Sequence, residues 1–280
     1  MLNLTVLVDN NTFIDQYLVG EPAVSYFVES DGRKILFDAG YSEVFITNAN
    51  RLGIDLSNLD TIVLSHGHLD HTWGLQYLVR MLAERWSMNP SFVKPELIAH
   101  PQVFANRHSK NDPQIGSLLK EENLAGFFDI QLSSGPVFLT QRLIFLGEIQ
   151  RKNNFEAQKN IGTVRLKNGE EIPDMVMDDS ALVYLSEGGL VIITGCSHAG
   201  ICNIVEHAKK ITGETRILDI IGGLHLQRPT IEQMQGTLDY FRQNNVVQLH
   251  ACHCTDLQSK IQMASVANII EVGCGLKLRY

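Results

Sequence analysis

Within "IVLSHGHLDHTWGL", residues 62–75, three histidines and an aspartate fall within six positions: His66, His68, Asp70 and His71. Imidazole nitrogens and carboxylate oxygens are ligands for divalent metal ions, and zinc, iron and manganese all accept such a set. The two-residue step from His66 to His68 puts both rings on one side of an extended chain, where they can share one ion. A short β-branched run precedes them, and "HTWGLQYLVRML" with helical spacing follows. Asp70 and His71 therefore fall where a helix begins, and a turn there can aim them at a second ion. So dense a set of ligand-type residues does not suit an ordinary connecting loop.

Three further histidines follow apolar runs: His198 in "TGCSHAG", His225 in "GGLHL" and His253 in "HACHCT". His100 and His108 lie instead in a proline-rich stretch and read as surface residues. The elements that must position these groups are short strands, among them 4–8, 23–29, 34–38, 61–65 and 96–100 in the first half. A second series covers 142–147, 181–187, 189–195, 216–223 and 245–250. Most have strand length and end in Gly, Asp, Ser or His, as strands feeding turns and sites do. Helical patterns lie between them. Leu75, Leu78, Val79 and Leu82 share one face, as do Ile201, Ile204, Val205, Ala208 and Ile211. Thr230 and Gln233 form a capping box ahead of Met234, Leu238 and Phe241. Hairpins followed by alternating strands and helices imply a layered α/β protein with mixed sheets. Both halves carry strands ending in histidine or aspartate, and two such halves packed face to face would bring those ends to one edge.

Two stretches read as irregular, 84–117 and 147–178, and loops of that length are often lids or binding loops. The first holds four of the eight prolines. With 280 residues, 44% hydrophobic and 19% charged, the chain has an ordinary globular composition and can bury a sizeable core. A net charge of −8 argues against nucleic-acid or anionic-membrane partners and leaves a small anionic substrate held at a local positive site. "MLNLTVLVDNN" has neither the basic start nor the apolar core of a signal peptide, and no apolar run spans a bilayer. Five cysteines, an odd number, fit a reducing compartment, so a cytoplasmic protein is expected, with a homo-oligomer compatible.

With "KILFDAG" ahead of it, the run His66-x-His68-x-Asp70-His71 resembles the metallo-β-lactamase superfamily, and the likeness extends over nearly the whole chain. The resemblance implies a four-layer αββα sandwich of two mixed β-sheets as one domain over 1–280, with one or two divalent ions where strand ends meet. Zinc is the favoured metal, with iron or manganese compatible. It also implies downstream ligands, and His198 and His253 match those places. The implied metal ligands are therefore His66, His68, Asp70, His71, His198 and His253. The first, second and fifth would hold one ion and the rest the other, with Asp38 orienting a ligand histidine. Asp70 and His225 are the implied catalytic residues, His225 contacting substrate or moving a proton. One departure stands out. Where many members carry a bridging aspartate, "IITGC" supplies Cys196, which either ligates as a thiolate or is a small buried side chain. Asp179 in "MDDSAL" is an alternative carboxylate.

The combination "DDSALVYL", "TGCSHAGICNI", "GGLHL" and "CHCT" is similar to dihydropterin-phosphate synthase-like proteins, often described as metal-dependent hydrolases. Hydrolysis of a phosphoester or of a lactone or thioester is the expected activity. The rivals are a pterin transferase using the same ions, with Asn153, Asn154, Phe155 and Gln158 available to hold a flat ring, and a non-catalytic metal-dependent binding protein. A di-iron redox role is a weaker alternative.

Overall fold

A computed structural model describes every residue except Pro90 and Phe92. Pro90, one of the prolines of the first irregular stretch, therefore lies outside the described residues. Along the first half run β1 (Leu2–Val8), β2 (Ser25–Ser30), β3 (Arg33–Phe37), α1 (Val44–Arg51), β4 (Thr61–Val63), α2 (Leu69–Thr72), α3 (Leu75–Met88), β5 (Glu96–Ala99), β6 (Asn106–His108), α4 (Glu121–Leu124) and β7 (Asp129–Leu132). The second half continues with β8 (Val137–Phe138), β9 (Leu143–Phe145), β10 (Thr163–Arg165), β11 (Glu171–Pro173), β12 (Ala181–Ser186), β13 (Gly189–Thr194) and α5 (Ile201–Thr212). Then come β14 (Ile217–Gly223), α6 (Ile231–Gln243), β15 (Gln248–Cys252), α7 (Leu257–Met263), β16 (Asn268–Ile269) and β17 (Lys277–Arg279).

One sheet has the order β17-β1-β2-β3-β4-β5-β7 and the other β16-β15-β14-β13-β12-β9-β8. In each, antiparallel hairpins lead into a parallel run, β3-β4-β5-β7 in the first and β13-β14-β15-β16 in the second. The expected likeness of the halves is present. The departure is β17, which crosses back to pair with β1.

Alternation along the strands explains the layering. Leu4, Val6, Tyr26, Val28, Ile35 and Phe37 of the first sheet meet Leu182, Tyr184, Val191, Ile193 and Ile221 of the second in one apolar layer. The opposite face of the first sheet packs Leu36, Ile62 and Leu97 against Phe45, Leu75, Leu78 and Leu82. That of the second packs Val183, Ile192 and Ile220 against Ile204, Val205, Leu238 and Phe241. Helices thus cover both outer faces, giving the αββα sandwich.

Several boundaries differ from the sequence reading. The helix after His71 is two helices, α2 and α3, parted at Gly74, where a Cβ would meet the Ala39 carbonyl oxygen at 1.9 Å. The strand placed at 245–250 starts at Gln248, because Asn245 is in a left-handed turn at φ 49°. Thr230 caps α6 by accepting the Gln233 backbone N–H. The irregular stretches are only partly so. Residues 84–117 contain the end of α3, the sheet strand β5 and β6, and 147–178 contain β10 and β11, which form a small sheet with β6. His100 is a correction: it is buried, its Nε2 3.2 Å from both Glu148 Oε2 and Ser134 Oγ, because the residue follows an interior strand. His108 lies half-exposed, its Nε2 3.7 Å from Glu171.

Candidate metal centre

The loops that leave the C-terminal ends of parallel strands converge at one edge. Asp38 follows β3, His66 and His68 follow β4, Cys196 and His198 follow β13, His225 follows β14 and His253 follows β15. Three of these residues hold left-handed backbones without being glycine, Asp38, His225 and His253 at φ 58°, 50° and 51°, and so does Ser197 at 60° between Cys196 and His198. Such conformations cost on the order of 1–3 kcal/mol each and persist where the surroundings over-determine them.

Two donor clusters form side by side. His66, His68 and His198 make the first, with His66 Nε2 3.0 Å from His68 Nδ1 and that atom 3.1 Å from His198 Nε2. Asp70, His71, Cys196 and His253 make the second. In it Cys196 Sγ is 3.3 Å from His71 Nε2 and 3.1 Å from His253 Nε2, and Asp70 Oδ2 is 3.2 Å from His253 Nε2. The structure thus brings all six sequence-predicted ligands together and adds Cys196. Asp179 stands elsewhere. Its Oδ1 lies 4.0 Å from His66 Nδ1, behind the ring, while its other oxygen accepts the Ala199 N–H. Asp38, as expected, orients a histidine of the second cluster, 2.7 Å from His71 Nδ1.

Both clusters fit divalent ions. Asp38 accepts the Ser65 hydroxyl proton at 2.7 Å, so that hydroxyl can only accept from His66 Nδ1–H, 2.9 Å away. His66 Nε2 is then a bare lone pair facing two other imidazoles. Burial lowers the pKa of His66 and His198, and of His68 to about 4, so these rings stay neutral. Three neutral nitrogens this close cannot all satisfy one another with protons. A tetrahedral ion at the usual zinc–nitrogen distance would set its ligands about 3.3 Å apart, close to what the cluster shows. In the second cluster burial pushes the Cys196 thiol up, with the neighbouring Cys254 and then Asp70 and Asp179 adding to the effect. Burial alone would lower His71, but Asp70 and Asp38 outweigh it and lift the imidazole to about 9. Asp70 is held well below the carboxylate range by His71 and His253 against the opposing cost of burial.

His225 belongs to neither cluster. Its ring centroid lies 4.3 Å from that of His198, and its Nδ1 is buried without a hydrogen-bond partner among the described residues. Its backbone N–H donates to Cys254 Sγ. Against burial, the Cys254 sulfur and the Asp179 and Asp70 charges raise its pKa.

Other supporting residues were not legible in the sequence. Arg107 is fully buried and makes ion pairs with Asp174 at 2.9 Å and Asp178 at 2.6 Å, and Asp178 accepts the Gly67 N–H between the two cluster histidines. Gly67 is required there because a Cβ would stand 2.1 Å from the Val103 carbonyl oxygen. Glu156 accepts the Cys202 and Asn203 N–H groups at the start of α5, tying residues near 156 to the helix that follows His198. A lone arginine in "NRH" and a glutamate in a polar loop carry no spacing signal.

Comparison with known proteins agrees with this geometry. The family model for the metallo-beta-lactamase superfamily matches residues 18–132. A Methanocaldococcus jannaschii protein named 7,8-dihydropterin-6-methyl-4-(beta-D-ribofuranosyl)-aminobenzene-5'-phosphate synthase is 33% identical over 246 residues, 83% of this chain and 80% of that one. An uncharacterised protein of the same organism is 28% identical over 95% of this chain and 96% of its own. The crystal structure of Tm1679, described as a metal-dependent hydrolase of the beta-lactamase superfamily, superposes with a TM-score of 0.83 at 26% identity, covering 100% of this chain and 99% of that one. No helix of the described residues is long and apolar enough to cross a membrane. With one-third identity across four-fifths of a relative, the same sandwich and the histidine clusters at its strand ends, the chain belongs to the metallo-beta-lactamase superfamily.

Proposed function

We propose that the chain is a metal-dependent hydrolase that cleaves an ester-like bond, a phosphoester or a lactone or thioester, in a small anionic molecule. The carrying observation is the inequality of the two clusters: His66, His68 and His198 supply three donors, whereas Asp70, His71, Cys196 and His253 supply four. Four protein donors close a tetrahedral site, and three leave a place for water or substrate. Divalent ions bound here, zinc by preference and iron or manganese otherwise, would activate water near neutral pH and polarise the bond under attack.

The protein's own groups do the rest. Asp38 fixes the ring orientation of His71 directly and of His66 through Ser65, so that each offers Nε2 inward. Asp70, with Oδ2 3.2 Å from His253 Nε2, can hold a proton of the attacking water. His225 lines the cavity beside His198 and is placed to protonate a departing oxygen. Acid and base thus stand on separate loops.

Transfer to an acceptor other than water is the second reading, favoured by the one-third-identical relative, which is named as a synthase. Of the residues named for a flat ring, Asn154, Phe155 and Gln158 border the cavity beside His198, whereas the Asn153 amide is taken up by Glu156. The deciding experiment incubates metal-loaded protein with aryl phosphodiesters, lactones and thioesters in ¹⁸O-labelled water, with and without an arylamine. Label in the product, lost in His68→Ala, supports hydrolysis; acceptor-dependent turnover without label supports transfer. No turnover on any substrate by protein carrying its full metal complement overturns the enzymatic reading and leaves a binding protein. Cytoplasmic residence belongs to the same proposal.

A further inference from the structure

Of the four donors in the second cluster, His253 alone has a left-handed backbone, at φ 51° directly after β15. A histidine keeps that conformation where its surroundings over-determine it. The groups that do so come from the other sheet. β1 ends at Val8, and the next two residues, Asp9 and Asn10, engage the backbone N–H, the backbone carbonyl and the ring of His253. Asp9 Oδ1 accepts the N–H at 2.9 Å, and Asn10 Nδ2 donates to the carbonyl oxygen at 3.1 Å. Asn10 Oδ1 lies 3.3 Å from His253 Nδ1.

This amide also decides the tautomer of the ring. A carbonyl oxygen only accepts, so the end of Asn10 that meets it is the NH2 group. The other end is then the amide oxygen, which accepts as well, so His253 Nδ1 carries the hydrogen. Nε2 keeps its lone pair, and that atom faces Cys196 Sγ at 3.1 Å and Asp70 Oδ2 at 3.2 Å. Asp9 is fully buried, and its second oxygen accepts the Asn11 backbone N–H at 3.0 Å and side-chain amide at 3.3 Å. The Asp9 N–H donates to Cys274 Sγ, and the Cys274 N–H to the Asn11 carbonyl oxygen, so the stretch leading into β17 holds this turn in place. The two imidazoles of the second cluster are thus held differently, His71 by the Asp38 carboxylate and His253 by a neutral amide.

We infer that Asp9 and Asn10 are positioning residues for His253, fixing its ring and tautomer so that Nε2 points into the second cluster as an ion ligand. The inference rests on that cluster being a metal site of the proposed enzyme. β1 belongs to the first sheet and β15 to the second, so this donor is aligned only when the two sheets stand face to face.

The test compares the parent with three variants of the full chain. Asn10→Leu removes both amide groups at similar volume, Asn10→Asp keeps an oxygen towards Nδ1, and Asp9→Asn sets an NH2 group against the Asn11 donors. Zinc affinity at each position is read by competitive chelation. The hydrogen on each imidazole nitrogen is read by long-range ¹H–¹⁵N NMR of histidine-labelled, metal-free protein. His253 Nδ1 should carry the hydrogen in the parent. Asn10→Leu should weaken the second position about tenfold and leave the first unchanged, with most of the loss restored in Asn10→Asp. Asp9→Asn should show the same selective loss, and Asn10, which is exposed, keeps the test open if that buried substitution fails to fold. A purely structural turn would lower the thermal midpoint without separating the two positions. Unchanged second-position affinity in Asn10→Leu, equal losses at both positions, or a bare Nδ1 in the parent would each overturn the inference. No ion at the second position of the parent would instead sink the metal reading of that cluster, and the ring hydrogen would still decide whether Asp9 and Asn10 orient His253.

Discussion

Asp38 Oδ2 lies 2.7 Å from His71 Nδ1, and the same oxygen takes the proton of Ser65, whose hydroxyl meets His66 Nδ1. One carboxylate therefore orients one imidazole of each donor cluster, and this would couple two ions bound there through a residue that touches neither. Asp38→Asn should lower affinity at both positions, by about 10–100-fold at the second, where the contact is direct. Competitive chelation monitored separately for each ion checks this, and loss confined to one position would show the coupling to be absent.

Cys196 makes the second cluster distinguishable by spectroscopy. Cobalt-substituted protein should show a sulfur-to-metal charge-transfer band in the near ultraviolet, absent in Cys196→Ser, whereas the tri-histidine position should be unaffected. A band that survives the substitution would remove Cys196 from the ligand set. Metal content of about two per chain in the parent, falling in both His68→Ala and His253→Ala, is expected alongside.

Metal uptake should release protons. In the metal-free chain the His71 imidazole is lifted to about 9 and the Cys196 thiol is pushed up by burial, so both are protonated at neutral pH. A bound ion needs neutral imidazole and thiolate. Apparent affinity at the second position should therefore rise with pH, up to about tenfold per unit for each proton released, with the His71 contribution levelling off above about 9. Calorimetry in buffers of different ionisation enthalpy counts the protons; a count of zero at pH 7 would contradict the assignment.

Arg107 is the largest stability prediction. Removing it leaves Asp174 and Asp178 buried without their cation, and breaking one side of a buried ion pair costs about 3–5 kcal/mol. Arg107→Ala should lower the denaturation midpoint and, through Asp178 and the Gly67 N–H, also weaken the first ion. Gly67→Ala should act on the same loop, since the added methyl would meet the Val103 carbonyl oxygen. Parent-like metal affinity in a folded Arg107→Ala protein would reduce the arginine to a packing role.

Much of the site was readable because metal chemistry compresses into local spacing. His66, His68, Asp70 and His71 are one short run, and strand-end patterns flag His198, His225 and His253. Hydrophobic alternation likewise marks most strands and helix faces, since the period of an element is a property of neighbouring residues. His100 was misread because nearby prolines suggest a surface loop, whereas its burial depends on β5 lying inside the sheet.

The sequence by itself determined the candidate donor types, the layered α/β class and the superfamily. The tertiary structure decided how the candidate donors divide. Cys196 joins the second cluster and Asp179 stays behind His66, a choice of orientation at the ends of two strands that no spacing encodes. The brace from Arg107 through Asp178 to Gly67, and the hold of Asp9 and Asn10 on His253, arise in the same way. Each joins residues tens or hundreds of positions apart, and contacts of that kind are set by how sheets and loops pack, not by the local pattern of the chain.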